Sequence, residues 1–153
     1  MTEDSWIIEP YVRFGHLRFG ATQAEVASLI GPADTIDRDS ESSLVTEYRC
    51  DNGLQAVFHL DSGVLVMVSA YSNVCGIRIA GEALDWTDTR GLYRKLVAAD
   101  ARARQTVGIT VLFSLGVALA GFLDRDVGGK SITAFAQGQW DERDPALKSI
   151  ELP

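Results

Sequence analysis

The sequence predicts an α+β domain, with two helices on one face of a mostly antiparallel sheet. Three observations lead there. Residues Thr22 to Gly31 form a capped and stopped amphipathic segment; residues 44–71 carry strand-like runs separated by Asp/Gly turns; and the same order, helix then strands, recurs after Thr87. A chain of 153 residues fits one domain, 1–153, and buries most of the apolar surface it exposes unfolded. The repeated order suggests a pseudo-duplicated layout with halves at 12–80 and 81–140, although the halves share too few residues to read as a sequence repeat.

The elements follow in order. A short apolar strand at Leu17 leads into the first helix, where Thr22 and Glu25 have the spacing of a capping box. Ala21, Val26, Leu29 and Ile30 supply its apolar stripe, Gly31 suits the C-terminal cap, and Pro32 forbids continuation. Asp34 to Ser43 is polar and acidic and reads as a loop. Leu44 to Cys50 alternates, Asp51-Asn52-Gly53 is a hairpin turn, and Leu54, Ala56, Phe58 and Leu60 then share one face. After a second turn at Asp61-Ser62-Gly63, Val64 to Tyr71 is nearly all apolar, as in a central strand covered on both faces. A short strand at Gly76 to Ala80 precedes a second helix from about Thr87 to Ala101, capped by Thr87 or Asp88, with Leu92, Tyr93, Leu96 and Val97 inward. Three strands close the chain, at Ile109 to Leu115, Val117 to Leu123 and Ser131 to Gln137.

Val107 to Leu123 contains no charged residue and approaches the length of a membrane span. Gly108, Gly116 and Gly121 interrupt it, and Ile109, Thr110, Val111 and Val117 are β-branched, so two strands and a tight turn near Ser114 to Gly116 account for it better. The formal charge of −7 disfavours nucleic acid and anionic membrane as partners and favours a basic protein. The acidic start, Met1 to Trp6, is unlike a signal peptide, which points to the cytoplasm. Cys50 and Cys75 are too few for a disulfide framework and read as buried or half-buried free thiols.

Catalytic and ligand constellations fail one by one. Gly128-Gly129-Lys130-Ser131 mimics the end of a phosphate loop, but Asp124 stands where the first glycine belongs and a strand, not a helix, follows. Asp124, Asp126 and Gly129 mimic a calcium loop whose twelfth position is Phe135 instead of glutamate. His16 and His59 are the only histidines, and His59 sits opposite Phe58 and Leu60, toward solvent or a partly covered face. General acid–base catalysis would need a second group in hydrogen-bond reach, and the sequence gives no way to place one. The expectation is no enzyme, no metal and no cofactor.

Charge is uneven along the chain. Asp34, Asp37, Asp39, Glu41 and Glu47 cluster around a single Arg38, and Asp141, Glu142 and Asp144 surround Arg143. Arg90, Arg94, Lys95, Arg102 and Arg104 make the second helix and its exit basic. Such runs are ordinarily solvated faces. As a docking surface, Asp34, Asp37, Asp39, Glu41, Asp141, Glu142 and Asp144 are the candidate partner-binding residues.

The entry Leu17-Arg18-Phe19-Gly20-Ala21-Thr22, with Glu25-Val26 and Ile30-Gly31-Pro32, resembles that of bacterial immunity-like proteins of polymorphic toxin systems. In that group the helix and its stop precede a hairpin with an Asp-x-Gly turn, here Asp51-Asn52-Gly53 or Asp61-Ser62-Gly63. Phe113-Ser114-Leu115-Gly116-Val117 is similar to the segment after the second helix in that group, so the likeness touches residues 12–136. The same entry also resembles BamE/SmpA-like assembly lipoproteins, whose signal peptide and lipobox cysteine this chain does not show. The first resemblance implies an immunity protein that neutralises a cognate, basic toxin domain by stoichiometric binding. The alternatives are an orphan α+β scaffold or BamE-like assembly adaptor, then a small-ligand-binding protein or enzyme.

Overall fold

The computed structural model describes residues 6–125 and 128–150. Two helices and two mostly antiparallel sheets make an α+β fold. The smaller sheet joins β1 (Trp6–Glu9), β2 (Arg13–Phe14), β3 (Leu17–Arg18), β8 (Ile77–Ile79) and β9 (Glu82–Ala83) in the order β3-β2-β1-β8-β9, with β1 and β8 parallel. The larger sheet joins β4 (Thr35–Asp39), β5 (Leu44–Arg49), β6 (Leu54–His59) and β7 (Leu65–Tyr71) with β10 (Ala103–Thr106), β11 (Ile109–Leu112), β12 (Val117–Ala120) and β13 (Ser131–Phe135). Its order is β10-β11-β12-β13-β7-β6-β5-β4. It is therefore two four-stranded meanders joined where β7 and β13 pair antiparallel.

The helices α1 (Gln23–Ile30) and α2 (Thr89–Ala99) each precede one meander, which is the pseudo-duplicated order the sequence suggests. A two-fold axis normal to the large sheet, through the Ser69–Thr133 pair, relates the halves. The hydroxyls of those two residues lie 2.6 Å apart. Equivalent positions carry equivalent jobs. Thr22 and Asp88 are the two N-cap positions, Val26 and Leu92 are the buried helical anchors, and Gly53 and Gly116 close the corresponding hairpins. Asp34 and Asp100, each just beyond a helix, accept main-chain amides at the start of the hairpin turn: Cys50 N at 2.7 Å, and Ser114 N and Leu115 N at 2.9 and 3.1 Å.

Both helices and the small sheet lie on one face of the large sheet. Val26, Leu92, Tyr93 and Leu96 share a core with Ile8, Phe14, Leu17, Ile77 and Ile79, and with the inward row Leu54, Ala56, Val68, Ala70, Ile132, Ala134, Val117 and Leu119. Burial of this apolar surface is the main force holding the layers together. The capping box is complete, with Glu25 N donating to Thr22 Oγ1 and Thr22 N donating to Glu25 Oε1.

Several expectations are corrected. The acidic segment after α1 is not a loop: Thr35–Asp39 pairs antiparallel with β5 as an edge strand, exposed at every residue. Leu29 is exposed, because the short helix buries only a narrow stripe centred on Val26. The cap of α2 makes no side-chain bond: Asp88 is the N-cap, while Thr87 bonds Asp85 instead. Cys50 and Cys75 are exposed, since both fall in connections at one end of the sheet rather than on its buried rows. The uncharged run Val107–Leu123 folds as β11, a turn and β12; no helix among the described residues is long and apolar enough to cross a membrane.

Candidate functional site

The second face of the large sheet is treated differently in its two halves. Cross-strand partners share a face, so the register places Thr35, Tyr48 and Gln55 beside Ser69, and Asp37, Thr46 and Val57 beside Met67. Across the axis the equivalent row is Thr133, Ala118, Val111 and Arg104. In this second half the face is covered. Tyr11, Trp140 and Leu147 pack on Val111, Phe113, Ala118 and Phe135, with Tyr11 and Phe135 edge-on at 5.7 Å. The Tyr11 hydroxyl donates to the Phe113 carbonyl, and burial pushes its pKa up. The same C-terminal segment reaches the sheet edge, where Gln105 and Lys148 exchange both main-chain hydrogen bonds at 2.8 and 2.6 Å.

In the first half the corresponding face is covered near the axis, where Val57 and Ser69 are buried, and open beyond it. Tyr48 and Tyr71 are 38% and 41% exposed, the Tyr71 hydroxyl donates to Gln55 Oε1 at 2.9 Å, and a recess of about 340 Å³ lies among Tyr48, Cys50, Gly53, Gln55, Tyr71 and Asn73. Burial raises the Tyr71 pKa, with neighbouring Tyr48 adding to it. Beside this patch runs β4, the end strand of the sheet. Its register puts Asp37 and Asp39 on the same face as Thr46 and Leu44, with Asp37 diagonal to Tyr48 on the neighbouring strand.

The candidate acids separate into two groups that the fold holds apart. Asp34, Asp37, Asp39 and Glu41 lie along or beside β4, whereas Asp141, Glu142 and Asp144 lie in the segment beyond β13 that reaches β10, at the opposite edge. Eight strands at ordinary spacing put about 30 Å between those edges. Most of the second group serves local structure. Glu142 holds Arg102 through a forked bond whose shortest contact is 2.7 Å, and this lowers the carboxyl pKa while raising that of the guanidinium. Asp141 and Asp144 accept the amides of Arg143 and Ala146. In the first group Asp34 is engaged with Cys50 N and Asp39 with Glu41 N.

Glu47 leaves the acidic surface altogether. Its alternation with Tyr48 turns it under α1, where it meets the Arg49 guanidinium at 2.7 Å and Gln23 Nε2 at 2.9 Å. The basic second helix is partly spent as well, Lys95 pairing with Glu82 and Arg90 donating to the Leu123 carbonyl. Lys130, the lysine of the false phosphate loop, is buried, and its Nζ donates to Thr89 Oγ1 at the start of α2. The calcium-loop pattern falls partly on Asp126, which lies outside the described residues; among the described residues no three His, Cys, Asp or Glu side chains are grouped to hold a metal. Tyr48, Gln55 and Tyr71 were not among the candidate residues. The alternation in β5 shows two faces, but only the identity of the buried one, with Val45, Glu47 and Arg49, reveals that the tyrosine face is open.

No protein-family model matches this chain, and no curated protein or solved structure matches it either.

Proposed function

We propose that this chain is a non-enzymatic protein-binding domain for a basic partner and, following the resemblance of its entry motif, an immunity protein that occupies a cognate toxin domain. The observation that carries the reading is the exposed acidic strand. Among the described residues no cation forms a salt bridge with Asp37, Asp39 or Glu41, and Asp37 lies diagonal to the exposed Tyr48 on the neighbouring strand. Acids left unpaired by the fold steer encounter with a basic surface, and amphipathic tyrosines supply anchoring area at low entropic cost. A net charge of −7 extends the same attraction over the whole chain.

The test is co-expression with the product of the neighbouring reading frame, joined to association rates at two ionic strengths. Asp37→Lys with Glu41→Lys reverses the free charge and spares Asp39, whose carboxylate holds the turn. Association should slow by about tenfold at low salt, and the defect should shrink as salt rises. Unaltered rates would remove β4 from the encounter surface. Failure of the wild-type chain to bind that product would count against the immunity reading.

A further inference from the structure

The two halves of the sheet differ in what covers them, and the difference specifies an occupant. In the second half, the segment from Gln139 to Ile150 lies across the face with Trp140 and Leu147, then pairs its main chain with the edge strand at Gln105–Lys148. The two-fold relation maps Val111 onto Tyr48, Ala118 onto Gln55, Phe135 onto Tyr71 and the β10 edge onto β4. On that second surface Val57 and Ser69, near the axis, are buried, but Tyr48 and Tyr71 are left exposed, and β4 presents a row of unpaired main-chain groups. An open strand edge is a template for another strand.

We propose that an extended, basic segment of the protein partner docks on the first half as residues 139–150 dock on the second. It adds a strand to β4 and lays an apolar side chain on the Tyr48–Tyr71 recess. This deepens the protein-binding reading above and rests on it. Charge selects the occupant: Asp37 and Asp39 point to the docking face and Glu41 follows at the end of the strand. Because side chains of one face recur every second residue, lysine or arginine in that row would meet the carboxylates and an apolar residue in the same row would meet the recess. A second copy of this chain is the poorer occupant, because antiparallel pairing of β4 with itself about its central residue sets Asp37 against Asp37.

The experiment uses the full chain and a decapeptide of alternating lysine and valine in which tryptophan takes the place of one central lysine, so that it shares the lysine face, beside a control carrying glutamate for lysine. Amide exchange of residues 35–39 should slow by tenfold or more with the lysine peptide and not with the control. Tyr48→Ala combined with Tyr71→Ala leaves the charge unchanged and should weaken peptide binding at least tenfold, with the unfolding transition still cooperative. Protection elsewhere, no protection, or equal binding of the glutamate peptide would overturn the proposal. Slowed exchange in β4 that grows with protein concentration, without peptide, would assign the edge to a second copy and overturn it too. If the peptide fails while the neighbouring gene product still binds with a salt-dependent rate, the docking mode is wrong and the protein-binding reading stands. If neither binds, both fall.

Discussion

Asp100 shows how much one side chain can organise here. It is buried, yet each carboxylate oxygen is satisfied: Oδ1 accepts Arg102 N at 2.9 Å, and Oδ2 accepts the Ser114 and Leu115 amides. It thereby ties the end of α2 to the β11–β12 turn. Asp100→Ala leaves three amides without their acceptor and should cost roughly 2–4 kcal/mol; an unshifted urea midpoint would contradict this. Gly116 closes the same turn at φ 67°, and a Cβ there would stand 3.1 Å from the backbone nitrogen of Tyr11. Because a backbone atom cannot swing aside, Gly116→Ala should destabilise by about 1–3 kcal/mol, read from the same unfolding curves. The Arg102–Glu142 pair gives a pH signature. The hydrogen bond from Arg102 holds the Glu142 pKa below its unfolded value, so its stabilisation is present at neutral pH. It is lost as pH falls from the ordinary glutamate range through the lowered folded value. Glu142→Gln should flatten the acid limb of the stability–pH curve in that window, with only a small effect because the pair is exposed. Coincident acid limbs for the two proteins would mean that the pair does not act in solution.

At the scale of elements, α1 is held by polar contacts at both ends as well as by Val26. Gln23 Nε2 donates to Glu47 Oε2, and Arg49 donates Nε–H to the Gly31 carbonyl, so one buried ion pair on β5 pins the start and finish of the helix. One guanidinium nitrogen, Nη1, is buried without a partner, so the pair is not an optimised source of stability. Removing one member is still worse than keeping both. Glu47→Ala should cost about 3–5 kcal/mol by stranding Arg49, while Glu47→Leu with Arg49→Leu should recover much of that loss; thermal melts of the three proteins decide it. Thr22→Ala, which breaks the capping box, should cost about 1 kcal/mol. These elements differ in how far the sequence reveals them. The capping box, the Asp-x-Gly turns and the apolar β7 are local signals and stand where expected. Strand β4 is hidden because Thr-Ile-Asp-Arg-Asp on an edge buries neither face, so no alternation of burial shapes it. The two-residue strands β2, β3 and β9 are too short to show a period, and β10 is half-buried throughout without alternation.

At the scale of the whole molecule, the duplicated order of elements is legible while the symmetry is not. Gly53 and Gly116, Leu60 and Leu123, and Asp61 and Asp124 fall at one constant offset, yet so few identities mark no repeat by themselves. What the sequence hides entirely is the asymmetry of cover, because it depends on where the last residues go after β13. That asymmetry has a measurable consequence. Trp140 and Leu147 shield Val111, Phe113 and Phe135, which the first half replaces with the more polar Tyr48, Cys50 and Tyr71. The second half has thus become dependent on its cover, whereas the first tolerates exposure. Truncation after Gly138 should remove roughly 3–5 kcal/mol, the burial of one leucine and part of a tryptophan together with the lost edge pairing. It should also expose an aromatic face beside the freed β10 edge, which favours edge-to-edge association. The truncated chain should unfold at lower urea, bind more of an apolar dye and sediment as larger species as its concentration rises. Leu147→Ala alone should produce part of the stability loss without the association, because the main-chain pairing at Gln105–Lys148 still closes the edge. A truncated chain that stays monomeric with an unshifted midpoint would show that the C-terminal segment does not cover the second half in solution, and with it would go the precedent for docking on the first.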